Sequence, residues 1–343
     1  MSLVDAPAPP RSPWQLLYGA GHRARRRYWT QRARRLPRPV LSIGNLHWGG
    51  GGKTPLTAAV AGHLRDRGAR VAILSRGYKS RGEGVRLVSH YDGVPLLGPG
   101  LAGDEPVLLA GLVPGAAVVV HPDRHRAGRH ALERLDPMPD VFVLDDGFSH
   151  LPLERDLDLL VFPSSDPFAG GRLWPGGRLR EPLASVARAD AVLLTGPALP
   201  ADGGQALART LRRHGFEGHG FIAPTVTRRP EVAGDVTLTP TTPVLLVSAI
   251  ARPEAFERSA RDLGLEVVEH LRYADHHDYP ARTLDAIRDT FHGCGARAVV
   301  TTGKDRVKLH GRLDLPLADV PLESRPEAAF FTWLAHRLDE FTA

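Results

Sequence analysis

The residues with the clearest chemical potential lie in the segment 42–55, whose sequence is SIGNLHWGGGGKTP. An apolar run precedes the glycines and a segment with apolar residues at helical spacing follows them. The order strand, glycine loop, helix is typical of a phosphate-binding loop, in which backbone N–H groups surround phosphate oxygens. A flexible glycine turn with a chance lysine is the alternative. The candidate nucleotide-binding residues are Gly49, Gly50, Gly51, Gly52, Lys53, Thr54 and Pro55.

The loop departs from the usual pattern at its first position, where glycine is expected and this chain has His47. Lys53 would place a positive charge near the β- and γ-phosphates, and Thr54 would offer its hydroxyl to Mg²⁺. The helix that begins after the glycines would add the partial positive charge of its N-terminus. The segment therefore predicts a variant nucleotide loop that uses Mg²⁺.

Two adjacent carboxylates, Asp145 and Asp146, follow the apolar run 141–144, about 90 residues after the loop. An acid at a strand tip holds Mg²⁺ directly or through water in many nucleotide-binding proteins. A helix cap or a solvated turn is the alternative for such a pair. With the glycine loop upstream, we interpret both as metal-site residues.

A second acidic pair, Asp104 and Glu105, precedes the apolar helix predicted over 107–112. The local sequence alone favours a simpler role, because an acid at a helix N-terminus caps it and interacts well with the helix dipole. The polar segment Asp275-His276-His277-Asp278 offers a histidine that a nearby carboxylate would orient for proton transfer. A plain polar loop is the equally open alternative there.

Five arginines lie near predicted strand tips or in the glycine-rich loop 169–182, where their planar forks suit bidentate recognition of phosphate. Some of them would be ordinary surface charges. They are Arg76, Arg124, Arg172, Arg178 and Arg180.

The chain has one strongly basic end, since nine arginines and no acid occur between Arg11 and Arg38. Within 13–35, tryptophan, tyrosine and leucine alternate with these arginines, which suits a helix that lies in an anionic membrane interface. Nucleic-acid binding and a solvated basic tail are the alternatives that this stretch leaves open.

The length of the chain allows two domains, and its apolar fraction is sufficient for packed cores. The 343 residues contain a single cysteine, Cys294, which excludes a disulfide framework and suits a reducing compartment. We expect no transmembrane span and no signal peptide, because no apolar run approaches the roughly 18 residues that a span requires. Short apolar runs that alternate with helical segments predict a parallel sheet covered on both faces, with ligands at the carboxyl ends of its strands.

The predicted strands are 71–74, 118–120, 141–144, 157–162 and 191–195 in a first domain, and 244–247, 266–268 and 299–302 in a second. A proline- and threonine-rich stretch, 221–243, separates them. We therefore expect a basic N-terminal membrane-associating segment over 1–37, a phosphate-loop domain over 38–223 and a smaller α/β domain over 224–343.

Taken together and in order, the motifs resemble those of one family, the tetraacyldisaccharide 4′-kinases of lipid A biosynthesis, over roughly 38–310. The matching stretches are Gly44-Asn45-Leu46 with Gly49-Gly50-Gly51-Gly52-Lys53-Thr54-Pro55; Ser75-Arg76-Gly77-Tyr78; Gly103-Asp104-Glu105-Pro106; Asp145-Asp146-Gly147-Phe148-Ser149-His150; Leu153-Glu154-Arg155-Asp156; the loop 171–182; Ala251-Arg252-Pro253-Glu254; Asp275-His276; and Thr302-Gly303-Lys304-Asp305. His47, Ser149 and Gly303 depart from the family's usual small hydroxyl residue, glutamine and glutamate.

The resemblance implies transfer of the γ-phosphate of ATP, with Mg²⁺, to the 4′-hydroxyl of a tetraacyldisaccharide 1-phosphate. It implies that Asp104 is the base, paired with His276 from the other domain, and that this role replaces the helix-cap interpretation. Thr54, Asp145, Asp146 and Glu105 become the candidate metal ligands. The candidate substrate residues are Asn45, Arg76, Tyr78, Arg124, His150, Arg172 and Arg178.

The resemblance also implies a place at the cytoplasmic face of the bacterial inner membrane, where the protein would be peripheral or monotopic and would contact anionic lipids of the inner leaflet. We expect no nucleic acid and no obligate protein partner. A phosphate-loop kinase or ATP-dependent ligase for a soluble small molecule is the runner-up function. A nucleotide-switch ATPase or GTPase is the alternative from another class.

Overall fold

The strands of the computed structural model, which describes residues 13–230 and 238–342, include every strand segment predicted above. The strands are β1 (Val40–Gly44), β2 (Val71–Ser75), β3 (Arg86–Ser89), β4 (Ala116–Val120), β5 (Val141–Asp145), β6 (Leu157–Pro163), β7 (Ala191–Gly196), β8 (His219–Thr227), β9 (Pro243–Ser248), β10 (Glu266–Arg272), β11 (Ala298–Thr302), β12 (Leu317–Val320) and β13 (Leu322–Ser324). The helices are α1 (Pro13–Thr30), α2 (Lys53–Asp66), α3 (Pro99–Ala102), α4 (Asp104–Leu112), α5 (Arg124–Arg134), α6 (Gly203–Leu211), α7 (Pro253–Asp262), α8 (Ala281–Cys294), α9 (Gly303–Leu309) and α10 (Ala328–Thr342).

Nine strands form the larger sheet, in the order β13-β8-β7-β6-β1-β5-β2-β4-β3. The seven inner strands run parallel, and only the edge strands β3 and β13 are antiparallel to their neighbours. Strands β1, β2, β4 and β5 are buried along their whole length, which is why they read as continuous apolar runs. The predicted parallel α/β architecture is confirmed.

The smaller sheet contains four parallel strands in the order β10-β9-β11-β12. Its core is built from residues of β9 and β11 and from the apolar faces of α7 and α8, with Phe256, Ile287 and Phe291 among the buried side chains. The predicted range 224–343 for this domain needs correction at both ends. Strand β8 runs to Thr227 in the large sheet, and β13 and α10 return to that sheet, where Phe330 joins the large core.

The N-terminal segment contains the predicted helix, α1, but residues 1–12 and residues 231–237 lie outside the described part of the chain. None of the helices from residue 13 onward that the structure describes combines the length and the hydropathy that crossing a membrane requires. The carboxyl ends of β1 and β5 in the large sheet face the contact between α4 and α9, which joins the two sheets.

Candidate functional site

The glycine loop connects β1 to α2, as the sequence predicts, and Lys53 is the first residue of α2. Gly49 and Gly52 have φ values of 108° and 81°, a region that residues with a Cβ rarely adopt, so the turn requires glycine at both positions. The Thr195 hydroxyl at the end of β7 donates a hydrogen bond of 3.1 Å to the Gly51 carbonyl. The loop is therefore held against the tip of a neighbouring strand.

Asn45 connects the loop lysine to the rest of the site. Its Oδ1 accepts a hydrogen bond of 3.2 Å from Lys53 Nζ and a second one from Arg180. Its amide nitrogen lies 3.3 Å from Nδ1 of His47. Burial and the nearby Lys53 charge lower the pKa of His47 to about 4, so the imidazole that replaces the usual residue is neutral at pH 7. Asn45, which contacts neutral His47, thus orients the Lys53 ammonium group, and His47 adds no positive charge beside it.

Asp146 follows β5 in a left-handed conformation, with φ 52°, which turns its carboxylate toward the loop. Arg180 donates two hydrogen bonds to it, of 2.7 and 2.9 Å, and Lys53 Nζ lies 3.6 Å from Oδ1. Although burial acts to raise it, Lys53 and Arg180 hold the pKa of Asp146 well below its usual range. Asp146 is therefore ionised and fixed between two cations.

Asp145 has a contrasting environment, since it is almost fully buried and its Oδ1 accepts a hydrogen bond of 3.2 Å from Thr57. Burial, followed by the charges of Glu105 and Asp146, raises the pKa of Asp145 to about 7. Carboxylates that repel one another are a donor set that fits a hard divalent cation.

Among residues 13–230 and 238–342, no three histidine, cysteine or acidic side chains are gathered closely enough to hold a metal by themselves. In nucleotide sites one or two carboxylates bind Mg²⁺, and phosphate oxygens and water complete its coordination. The metal roles of Thr54, Glu105, Asp145 and Asp146 stay a prediction.

Asp104 begins α4, and the structure brings it to His276 from the other domain. His276 Nδ1 lies 3.2 Å from Asp104 Oδ2, and its own backbone is left-handed, with φ 63°. Lys308 Nζ is also 3.2 Å from the same oxygen. Burial acts to raise the pKa of Asp104, but the hydrogen bond from His276 and the Lys308 charge hold it below its usual value. The carboxylate is therefore ionised at pH 7.

The next residue, Glu105, makes a parallel contact with the small domain through an ion pair with Lys304 of α9. Lys304 and Lys308 are one helical turn apart, so α9 directs two ammonium groups at the two acids that begin α4. Tyr78 follows the end of β2, and its ring packs edge-on against the His276 ring, with 5.6 Å between the ring centroids. The two domains thus meet around the acidic start of α4.

The candidate substrate residues other than Asn45 separate into three groups. Arg76 and Tyr78 line a cavity of about 360 Å³ that also borders Arg86 and His121, next to the Asp104–His276 pair. Arg172 and Arg178 are exposed on the glycine-rich loop, and Arg178 pairs with Asp166.

Arg124 and His150 form a separate buried contact. The Arg124 backbone N–H lies 3.4 Å from Nε2 of His150, and its guanidinium donates to the Pro122 carbonyl at 2.9 Å. Burial lowers the pKa of Arg124 to about 10, and burial together with the Arg124 charge lowers that of His150 to about 3. The Arg124 Nε has no hydrogen-bond partner among the described residues, so this guanidinium keeps a free donor near the acids.

Helix α1 is attached to the segment that carries Arg180. The Tyr18 hydroxyl donates a hydrogen bond of 2.9 Å to the Arg180 carbonyl, and His22 Nε2 lies 3.2 Å from a carboxylate oxygen of Glu181. Although burial acts to raise it, His22 and Arg188 lower the pKa of Glu181 to about 2. Helix α1 is thus attached to Arg180, the arginine that donates hydrogen bonds to Asp146, and to the next residue, Glu181.

Sequence reasoning missed two contributors. Arg180 was grouped with general phosphate-binding arginines, although in the structure it binds Asp146 and Asn45. Lys308 was not singled out at all. The four-residue spacing of Lys304 and Lys308 in an amphipathic segment is the signal that would have found it.

Comparison with known proteins identifies the family to which this sequence is similar. The sequence profile of the family described as LpxK, Tetraacyldisaccharide-1-P 4'-kinase, matches residues 11–339. A tetraacyldisaccharide 4'-kinase of Geobacter sulfurreducens is 43% identical over 85% of this chain and 81% of the relative, and one of Anaeromyxobacter sp. strain Fw109-5 is 44% identical over 79% and 73%. The solved structure of LpxK from Aquifex aeolicus in complex with ATP superimposes with a TM-score of 0.72 at 31% identity, covering 95% of this chain and 97% of that one.

Proposed function

This chain belongs to the tetraacyldisaccharide-1-P 4'-kinase family, and from that premise we propose that it transfers the γ-phosphate of ATP to the 4′-hydroxyl of a tetraacyldisaccharide 1-phosphate. The observation that carries the proposal is the contact of Asp104 with His276 across the two domains, opposite a glycine loop whose lysine is already ordered. A proton acceptor and a phosphate-binding loop are the two parts that phosphoryl transfer to a hydroxyl needs.

In this proposal the loop residues 49–54 bind the phosphates of ATP. Lys53, which Asn45 orients, neutralises charge on the transferring group, and Arg180 keeps Asp146 in place. Thr54, Glu105, Asp145 and Asp146 would hold Mg²⁺ together with nucleotide oxygens. When bound, the metal supplies positive charge that offsets the charge spread over the phosphoryl oxygens.

Asp104 takes the proton of the attacking hydroxyl, and His276 stabilises the carboxylate in the orientation that this requires. The cavity beside this pair, with Arg76 and Tyr78 in its wall, is the place where we position the disaccharide and its phosphate. The contacts of Asp104 and Glu105 with α9 mean that the small domain must lie against the large one for catalysis.

The direct test is transfer of labelled γ-phosphate to tetraacyldisaccharide 1-phosphate in detergent micelles. We expect Mg²⁺-dependent formation of a bisphosphorylated lipid. The matched control is the same lipid with its 4′-hydroxyl already phosphorylated, which offers no acceptor and is expected to give no product. Label that appears only as inorganic phosphate would indicate a nucleotide switch instead. Label that appears only on a soluble acceptor would indicate a kinase for a soluble substrate.

We further propose that α1 lies on an anionic membrane surface, where an acylated acceptor is found. One face of α1 docks on the protein through Gln15, Tyr18 and His22, whereas Trp14 and Leu17 are 69% and 64% exposed. Exposed tryptophan and leucine among arginines fit the boundary between headgroups and acyl chains. In this proposal the membrane surface that α1 contacts is the cytoplasmic face of the inner membrane.

The double substitution of Trp14 and Leu17 by serine is expected to weaken sedimentation with vesicles that contain anionic lipid by about 10-fold, because two large apolar side chains leave the interface. Neither residue touches the nucleotide loop, so activity on lipid in micelles is expected to stay within about twofold. Met138→Ser, which removes an exposed apolar side chain elsewhere, is the control and should bind vesicles normally. Equal binding by all variants would contradict the role of α1.

A further inference from the structure

The side chain of Lys308 is a buried cation that belongs to the small domain and reaches the large one. It lies on α9, and only 5% of it is exposed. Its Nζ is 3.2 Å from Oδ1 of Asp305 and also 3.2 Å from Oδ2 of Asp104. The ring of Tyr279 covers it, with 5.4 Å between Nζ and the ring centroid.

The small domain by itself fixes Lys308 and balances its charge. Asp305 is fully buried, and its Oδ2 accepts hydrogen bonds from the Ala249 backbone N–H at 3.0 Å and from the Thr302 hydroxyl at 2.7 Å. A carboxylate held so firmly is sufficient to neutralise one ammonium group. The contact of Lys308 with Asp104 is therefore not required for its burial, and it brings a preformed cation to the candidate base.

We propose that Lys308 is a positioning residue for phosphoryl transfer, which acts through Asp104. The inference rests on the proposed function, in which Asp104 accepts the proton of the acceptor hydroxyl. His276 and Lys308 both contact Oδ2, and neither contact uses Oδ1. The hydrogen bond with His276 and the ion pair with Lys308, both on one oxygen, restrict rotation of the carboxylate and direct the other oxygen to the substrate.

The arrangement also makes the base dependent on contact between the domains. Both donors come from the small domain, His276 from the segment after β10 and Lys308 from α9. When the domains separate, Asp104 loses both contacts at once. Only the enzyme with its domains in contact then has an oriented base, which limits proton abstraction to the assembled site.

The test is a double-mutant cycle of K308M, D104N and the combined variant in the full chain, with labelled ATP and tetraacyldisaccharide 1-phosphate in micelles. K308M is expected to lower kcat about 100-fold, the order of loss that misplacement of a reacting group causes, with the KM for ATP within about twofold. In the D104N background K308M should cost nothing further. K308R is expected to restore part of the loss because it returns the positive charge.

Two further variants separate positioning from folding. K308M/D305N removes the charges of both members of the buried pair. If K308M destabilises the fold by leaving Asp305 unpaired, the double variant should recover the Tm of the wild type, while its kcat stays low. R312M is the matched control: Arg312 donates to the backbone carbonyls of Tyr279 and Lys308 and makes no described contact with Asp104. Its kcat is expected to equal that of the wild type.

Three outcomes overturn the inference. Equal costs of K308M in the wild-type and D104N backgrounds would make Lys308 a structural residue, as would a loss of kcat in R312M as large as that in K308M. An unchanged kcat in K308M, with D104N inactive, would exclude the positioning role of Lys308 and leave the proposed function unaffected. A wild-type enzyme that transfers no phosphate to the lipid would overturn the proposed function and this inference together.

Discussion

Replacement of Asp104 by asparagine is expected to lower kcat by about 10³, within the range of 10² to 10⁴ that general bases contribute. The substitution keeps the size of the side chain but removes the negative charge that His276 and Lys308 hold in its ionised form. In the proposed arrangement ATP binds at the glycine loop and not at Asp104, so its affinity is expected to change little. Steady-state transfer to the lipid acceptor and equilibrium binding of ATP measure the two quantities separately.

Asp278→Asn is the matched control for this prediction. Asp278 also joins the domains, through an exposed ion pair of 3.2 Å with Arg81, but it makes no described contact with the nucleotide loop or the Asp104–His276 pair. An exposed pair contributes little to stability, so kcat is expected to stay within about twofold. If both variants were equally impaired, loss of domain contact rather than loss of a base would explain the result.

The strands and the nucleotide loop were predictable because their signals are local. Continuous apolar runs such as 71–74 and 141–144 are typical of strands in a sheet that is covered on both faces, and the glycines before Lys53 indicate a tight turn. Strands β3, β8, β12 and β13 escaped prediction. Strands β3, β12 and β13 are short edge strands with mixed polarity, which resemble loops, and β8 overlaps the stretch 221–243, whose prolines and threonines indicate a domain boundary. The return of β13 and α10 to the large sheet is a long-range pairing that no local pattern encodes.

The site was predictable only where residues adjacent in sequence act together. Asp145 and Asp146 look alike in sequence, yet one is buried beside other acids and the other lies between Lys53 and Arg180. Such differences arise from the arrangement of distant segments. For Asp104 the local sequence favoured a helix cap, and only the resemblance to the kinase family indicated a base. That role remains a prediction, which the contact with His276 supports.

Replacement of Lys53 by methionine is expected to lower kcat/KM for ATP by about 10³, the upper part of the range observed when one donor to a developing charge is removed. Methionine keeps the apolar stem of the side chain, so the start of α2 stays packed. Burial lowers the pKa of Lys53, but Asp146 and Glu105 favour its charged form, and the ammonium is already aimed by Asn45. The charge therefore needs no rearrangement when ATP binds.

Lys53→Arg distinguishes charge from geometry at this position. The guanidinium is larger than the ammonium group, and Arg180 already occupies both Asp146 and Asn45, so the arginine variant is expected to recover less than about a tenth of the lost activity. Arg67→Met, at the exposed far end of α2, controls for loss of a cation from this helix and should behave as wild type. Calorimetry of ATP binding and turnover assays together show whether the substitution impairs ATP binding or phosphate transfer. Full activity in Lys53→Met would mean that Arg180, rather than the loop lysine, neutralises the transferring phosphate.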